Sequence, residues 1–313
     1  MNKSVLVVGA GLGGMALALR LAKKGCRVRI IEKNGQAGGR MNQLKADGFT
    51  FDTGPSFFSM SYEFTRFADD CNIKLPFSYY SLDPLYTVSF RHNPKTYFLY
   101  KDIKKLAEQF SESDPDFEQK MERYLAKGKR LFEDTMDVVI RNNHDTLLQY
   151  IFHLMKVNPV HFPIIFRNFW QQVAHYFSSE EARQIISLVS FFLGRTPFDT
   201  SSVYTLLSYT EFRHDGYFNV KGGMYKVIEG MLSELEKENV ELIYNTEIVD
   251  FASAGKESEY FIDSNGKKWG SRFICNQCGC SNIQGTDISE KKISPRKIST
   301  GWNGKMGPLD HVI

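Results

Sequence analysis

The chain has 313 residues, 42% of them hydrophobic and 24% charged, which allows a sizeable core in one large domain or two ordinary ones and is unlike a disordered or collagenous chain. Lys+Arg 39 against Asp+Glu 36 leave a formal net charge of +3, so there is no electrostatic case for a nucleic-acid partner. Five cysteines without framework spacing suit a reducing compartment better than a disulfide scaffold, whereas 25 Phe, 15 Tyr and 3 Trp supply flat apolar surface for a core, an apolar ligand or a membrane interface.

The opening run, Ser4 to Val8, is β-branched and predicts a buried parallel strand. Gly9-Ala10-Gly11-Leu12-Gly13-Gly14 follows it. Leu17, Leu19, Leu21 and Ala22 fit a helix from Met15 to Lys24, with Gly25 placed to end it. A second strand, Arg27 to Glu32, carries Val28, Ile30 and Ile31. Together these make a β-α-β unit with Gly9, Gly11 and Gly14 in G-x-G-x-x-G spacing. Gly9 permits the tight turn, Gly11 leaves room for a pyrophosphate, and Gly14 lets the helix pack close to the strand. The N–H groups at the helix start then hold the phosphates. Glu32 stands where an acid accepts hydrogen bonds from ribose hydroxyls. The bland alternative is a tight turn without a nucleotide, and the motif alone does not separate NAD from FAD.

Gln36-Ala37-Gly38-Gly39-Arg40 adds a glycine pair whose backbone could lie against a cofactor and a cation that could pair with phosphate. Phe49-Thr50-Phe51-Asp52-Thr53-Gly54-Pro55 alternates like a strand and then turns. Gly9-x-Gly11-x-x-Gly14, Glu32, Gly38-Gly39-Arg40 and Phe51-Asp52-x-Gly54-Pro55, in that order, resemble the flavin amine oxidase and desaturase superfamily. Within it they are most similar to the bacterial phytoene desaturases, or carotenoid dehydrogenases. The resemblance implies FAD rather than NAD. It places Glu32 at the adenosine ribose, the Gly9–Gly14 loop at the pyrophosphate and Gly39-Arg40 on the phosphate and flavin side. The cofactor contacts it implies are Gly9, Gly11, Leu12, Gly14, Glu32, Lys33, Gly39, Arg40, Gly54, Pro55 and Ile248. No catalytic residue is assigned.

Further along, Tyr86, Val88 and Phe90 lead into a His92-Asn93-Pro94-Lys95 turn and a second arm, Tyr97 to Tyr100, which predicts a hairpin. Asp114-Pro115 then opens a long helix, with Asp114 as N-cap, Pro115 at the first position and an apolar stripe from Phe117 to Val139. Gly128 weakens its middle. Residues 146 to 193 are rich in apolar and aromatic side chains, from Leu147 through Phe169 and Trp170, interrupted by Lys156, Arg167, Pro159 and Pro163. They line an internal core or pocket, or rest in a bilayer's head-group region. No segment is an uninterrupted span of roughly 18 apolar residues, nor is the N-terminus a signal peptide, so the expected location is cytoplasmic, peripheral on a membrane at most. The seven histidines show no ligand spacing, and no metal is assigned. Arg141 and Asp145 are charges near the expected pocket, with solvated helix caps as the plainer reading.

Leu193-Gly194-Arg195-Thr196-Pro197-Phe198, Ser201 to Leu206 and Phe218-Asn219-Val220-Lys221-Gly222-Gly223-Met224 carry the closer likeness to bacterial carotenoid desaturases. In that family the chain here returns to the FAD domain, and the backbone at Ile248 meets adenine. Met224 to Leu235 predicts a helix, Val240 to Tyr244 and Ile248-Val249 predict strands, and Asn265-Gly266 predicts a hairpin turn between Tyr260–Ile262 and Lys268–Ile274. Cys275, Cys278 and Cys280 lack a fourth ligand for zinc.

The likeness ends near Asn276, where a truncation or change of reading frame is expected, and 277–313 read as an irregular tail. The expected fold is α/β: a Rossmann-like FAD-binding domain of the GR2 flavoprotein type, residues 1–75 and 218–276, with an inserted α+β substrate domain, 76–217, and the C-terminal part of the fold missing. The resemblance implies removal of a hydride and a proton from a long apolar polyene such as phytoene. The alternatives are another flavin oxidase, acting on amines or porphyrinogens, and a non-catalytic remnant.

Overall fold

A computed structural model describes residues 4–91, 93–142, 146–253, 259–270 and 273–276. Asp145, Cys278, Cys280 and the expected tail lie outside them. The described chain forms two units. One comprises 4–56, 65–78 and the residues from 221 onward; the other comprises 57–64 and 79–220.

The first unit is built on four parallel strands. Strand β1 (Ser4–Val8) lies between β2 (Arg27–Ile31) and Phe273–Asn276, and Glu241–Ile243 flanks β2 on its far side. Alternation along β1 divides its side chains between two cores. Val5 and Val7 join Val28 and Ile30 against Met15 and Leu19 of helix α1 (Leu12–Lys23) and Ile228, Met231 and Leu235 of helix Lys226–Lys237. Leu6 and Val8 join Ile31 against Ile248, Phe261 and Trp269. Met15, Ala18, Leu19 and Ala22 share the buried face of α1 at three- and four-residue steps. The sequence places the helix start at Met15; the structure starts it at Leu12, directly on the glycine turn. A hairpin follows β2, with β3 (Gln43–Ala46) pairing antiparallel to β4 (Phe49–Asp52).

The expected arm Lys268–Ile274 is two strands in two sheets. Lys268–Gly270 completes an antiparallel sheet with Glu259–Asp263 and Ile248–Ser253, whereas Phe273–Asn276 joins β1 in the parallel sheet. Asp263 organises the Asn265-Gly266 turn, accepting from the N–H groups of Asn265 (2.9 Å) and Lys267 (3.0 Å) and from Trp269 Nε1 (2.8 Å).

The inserted unit contains the hairpin Tyr86–Phe90 with Asn93–Leu99 and a series of helices around an aromatic core that includes Tyr97, Phe110, Phe117, Tyr124, Phe169, Phe177 and Phe212. Its long helix spans Phe117–Thr135 with Asp116, in a left-handed conformation, at the N-cap. Asp114 is not the cap. It is fully buried, and its carboxylate accepts from the backbone N–H groups of Ser178 (2.7 Å) and Ser179 (3.1 Å) and pairs with Lys120. The donors from the Ser178–Ser179 loop and Lys120 satisfy the buried carboxylate in place of the helix start. Gly128 sits where a side chain would collide: a Cβ there would lie 2.8 Å from the carbonyl oxygen of Thr205, so the glycine permits close approach of helix Thr205–Tyr209. π-helical turns at Met136–Ile140 and Thr210–His214 extend these two helices. No described helix is long and apolar enough to cross a membrane.

Candidate dinucleotide site

The turn from β1 to α1 is fixed by backbone. Gly9 has φ +98°, a conformation that favours glycine, and its N–H donates to Ile31 O at 2.7 Å. Gly11 caps α1 in an ordinary extended conformation (φ −73°), without a side-chain hydrogen bond, and the first turn of the helix carries no acid. A Cβ built on Gly11 meets nothing within 4 Å. Neither the backbone nor a protein neighbour therefore requires glycine here. A group outside the chain that must approach the backbone closely would require it. The N–H end of a twelve-residue helix opens on the same space, and its partial positive charge favours an anion. A pyrophosphate fits that cradle.

Glu32 follows β2 and is only 6% exposed. Its carboxylate turns towards the glycine loop: Oε2 accepts from Ala10 N–H at 2.8 Å, and Oε1 accepts from the N–H and Nδ2 of Asn34, both at 2.9 Å. Three of about four acceptor positions are used, which leaves one for a hydroxyl. Tyr244 stands nearby, its hydroxyl pKa raised by burial and then by the Glu32 charge.

The second glycine pair folds over this turn. Gly38 N–H donates to Ala10 O at 2.9 Å, and Gly11 and Gly38 form a parallel β-bridge. A Cβ on Gly39 would lie 3.3 Å from Gly11 Cα, and one on Gly54 would lie 2.5 Å from Arg40 O. The structure thus brings Gly9, Gly11, Glu32, Gly38 and Gly39 together and rests Gly54 on Arg40. Gly14 is buried under the turn; Leu12 is half-buried beside it. Arg40, Lys33 and Pro55 are exposed. The side chain of Ile248 points away from solvent into the core with Leu6, Val8 and Ile31.

Two contacts of this region escaped the sequence reading. Asp52, at the end of β4, accepts from Met224 N–H (2.7 Å) and Tyr225 N–H (3.2 Å), and the Tyr225 hydroxyl donates to Ala37 O (2.9 Å). The Phe51-Asp52 and Lys221-Gly222-Gly223-Met224 motifs carry the residues, but their spacing in sequence does not show that they meet.

In the inserted unit, Arg141 is committed to ion pairs with Asp137 (2.6 Å) and Glu63 (2.9 Å). Glu211 is buried on the π-helical turn, bonded by the hydroxyls of Tyr86 (2.7 Å) and Tyr217, and burial pushes its carboxyl up to about 8. The Tyr217 ring packs on Phe57 and Phe192. Among the described residues no cluster of His, Cys, Asp or Glu is arranged to hold a metal ion.

The profile of the family "Flavin containing amine oxidoreductase" matches residues 12–259. The phytoene desaturase of Fusarium fujikuroi is 30% identical over 256 residues, covering 78% of this chain and 43% of the relative. The carotenoid 3,4-desaturase of Haloarcula japonica is 32% identical over 241 residues, covering 76% and 48%. The chain thus spans about half the length of the curated relatives it matches. Among solved structures, a putrescine oxidase redesigned in its cofactor binding superposes with a TM-score of 0.59 at 17% identity, covering 88% of this chain and 58% of that one, a likeness of fold.

Proposed function

The chain belongs to the family of flavin-containing amine oxidoreductases, and from that premise we propose that it is a desaturase of the carotenoid type acting on a long apolar polyene such as phytoene. The cofactor of the family is FAD. The observation that carries its placement is the open space at Gly11, faced by the N–H end of α1 and by the Glu32 carboxylate. In this reading Gly11 admits the pyrophosphate, Leu12 and Gly14 follow it on the first turn of α1, and Glu32 with neighbouring Lys33 receives the adenosine ribose. Gly39, Arg40, Gly54 and Pro55 lie towards the flavin, and the Ile248 backbone meets adenine. When bound, FAD would supply the two-electron acceptor for a hydride from one carbon of the polyene, while the proton of the neighbouring carbon would pass to water. The chain's part is to bind and orient the polyene.

The test has two stages. The purified chain is titrated with FAD and its visible spectrum recorded; perturbed flavin bands support the placement, and no uptake sinks it. The loaded chain is then given phytoene in liposomes and the products separated by chromatography. A more unsaturated polyene supports the desaturase reading. Binding without product favours a second reading: a chain that holds FAD but does not turn over.

We also infer peripheral attachment to a membrane from the cytoplasmic side. Helix Leu147–Leu154 has no buried residue, Leu148 is 78% exposed and Phe166 is 87% exposed. From Thr146 to Ser179 the sequence contains no Asp or Glu, while Lys156 and Arg167 are present and Lys156 lies over the Phe152 ring at 4.6 Å. An apolar surface rimmed by cations suits a bilayer interface, and a substrate dissolved in lipid needs such an entrance. Flotation with phospholipid vesicles tests it: Leu148→Glu with Phe166→Glu releases the chain from vesicles, and unchanged flotation refutes this surface.

A further inference from the structure

The parts of the first unit that face the Gly11 space are separated in sequence yet joined by one run of contacts. Asp52 accepts from the N–H groups of Met224 and Tyr225. These groups lead into helix Lys226–Lys237, whose N-cap, Tyr225, makes no side-chain cap bond. Asp52 is therefore the anion at this helix start, supplied from 172 residues away. Gly223 has φ +96°, and a Cβ there would lie 2.9 Å from Asp52 Oδ2, so the glycine is needed both for conformation and for room. Tyr225, 7% exposed, donates its hydroxyl to Ala37 O, and its ring edge lies 3.2 Å from where a Gly38 Cβ would stand. Gly38 in turn donates to Ala10 O and bridges Gly11.

We propose that Asp52 and Tyr225 are positioning residues that form a strut from the β3–β4 hairpin to the second glycine pair, holding Gly38 and Gly39 over the dinucleotide cradle. The inference rests on the FAD reading for its purpose, though not for its geometry. Gly38 has φ +123° and a Cβ there would lie 2.3 Å from Met41 O, so this segment is a tight turn in an uncommon conformation. Such a turn keeps one shape only where neighbours over-determine it. Ala37 O accepting from Tyr225, and Tyr225 N–H held by Asp52, are the neighbours that do so here. A ligand that needs the Gly38-Gly39 backbone in place binds more weakly when the strut is cut, because part of its binding free energy then goes into ordering the turn.

The test uses Tyr225→Phe, which removes only the hydroxyl, Asp52→Asn, which leaves a single acceptor, and the double variant. FAD dissociation constants are measured at a temperature where all are folded. Each single change raises the constant about tenfold, and the double variant is little worse than the weaker single, since both cut the same strut. In parallel, hydrogen exchange at the Gly38 amide is compared without ligand; both variants exchange faster. Unchanged FAD constants with only a lowered Tm make the pair a stability feature and overturn the proposal, as do effects that multiply in the double variant. Should the unmodified chain bind no FAD, the cofactor placement fails, and the exchange measurement still decides the strut: unchanged Gly38 exchange refutes it.

Discussion

The Glu32 corner of the parallel sheet and the Glu211 core of the inserted unit both bury a glutamate, and they satisfy it in different ways. Glu32 is bonded by two backbone N–H groups and the Asn34 amide, beside a space that no protein atom fills. Glu211 is bonded by two tyrosine hydroxyls inside an aromatic cluster. Backbone N–H groups are donors whatever the pH and have no alternative role. The two hydroxyls favour the ionised carboxylate, but burial inside the aromatic cluster outweighs them and favours the protonated form. The first arrangement keeps a fixed acceptor ready for a ligand's hydroxyl. The second makes a carboxyl whose protonation belongs to the folding of its unit.

The largest effect expected from this contrast is in the pH dependence of Glu211. Its pKa is raised by burial from an ordinary 4.5 to about 8, so the folded chain binds a proton that the unfolded chain has released. The stabilisation is complete below about 4.5 and is lost as pH rises through about 8. Glu211→Gln does not titrate. Relative to the unmodified chain it gains on the order of 4 kcal/mol between pH 5 and pH 9, read as diverging urea midpoints. Tyr86 and Tyr217, the other titratable groups at this carboxyl, have pKa values raised above 10 by burial and do not enter that window. Parallel midpoints would show that Glu211 ionises like a surface acid and would erase the contrast.

At the other corner, Glu32→Gln removes the charge and turns an amide NH2 towards donors that need an acceptor. A cost of about 1–3 kcal/mol follows from one buried donor left unmet. The same variant weakens FAD by at least about tenfold, measured by flavin fluorescence. A full loss of stability with FAD affinity intact would reduce Glu32 to a structural clasp for Ala10 and Asn34.

These two corners also differ in how far the sequence exposes them. The β1–α1–β2 unit is legible because its signals are local: an apolar run, three glycines and an acid within the first 32 residues describe one continuous turn of chain. The family resemblance rested on that unit and on the glycine motifs near Arg40 and Met224. The neighbours that hold those motifs in place are not local. Asp52 meets Met224 across 172 residues, and Asp114, which reads as a helix cap, is claimed by Ser178 and Ser179. The pattern for a hairpin arm at Lys268–Ile274 does not reveal that its last residues cross to the parallel sheet. Glu211 gives no sequence sign at all, since its environment is assembled from Tyr86 and Tyr217 on separate elements.

A third variant separates fold from function within one turn. Gly11→Ala leaves stability within about 0.5 kcal/mol, because a Cβ there meets nothing and the backbone already suits alanine. If the pyrophosphate sits there as proposed, the methyl takes its space and FAD affinity falls by about a hundredfold or more. Gly38→Ala serves as the control: its φ of +123° and a Cβ only 2.3 Å from Met41 O make it destabilising by about 1–3 kcal/mol. Equal Tm losses for the two would mean that the space above Gly11 is closed in solution.

The smallest expected effect on stability is at Leu148, and Leu19 is its buried control. Leu19 is fully buried on α1 between β1 and β2, whereas Leu148 is 78% exposed on a helix with no buried residue. Leu19→Ala opens a cavity and costs about 2–5 kcal/mol. Leu148→Ala removes a side chain already in water and stays within about 0.5 kcal/mol. Leucine at such a position adds no packing to the fold, so its loss is expected to show in vesicle binding and not in stability. A Leu148→Ala variant as stable as the unmodified chain but with weakened vesicle flotation assigns that leucine to the lipid interface. A loss approaching that of Leu19→Ala would return helix Leu147–Leu154 to the core and remove the apolar surface on which membrane attachment depends.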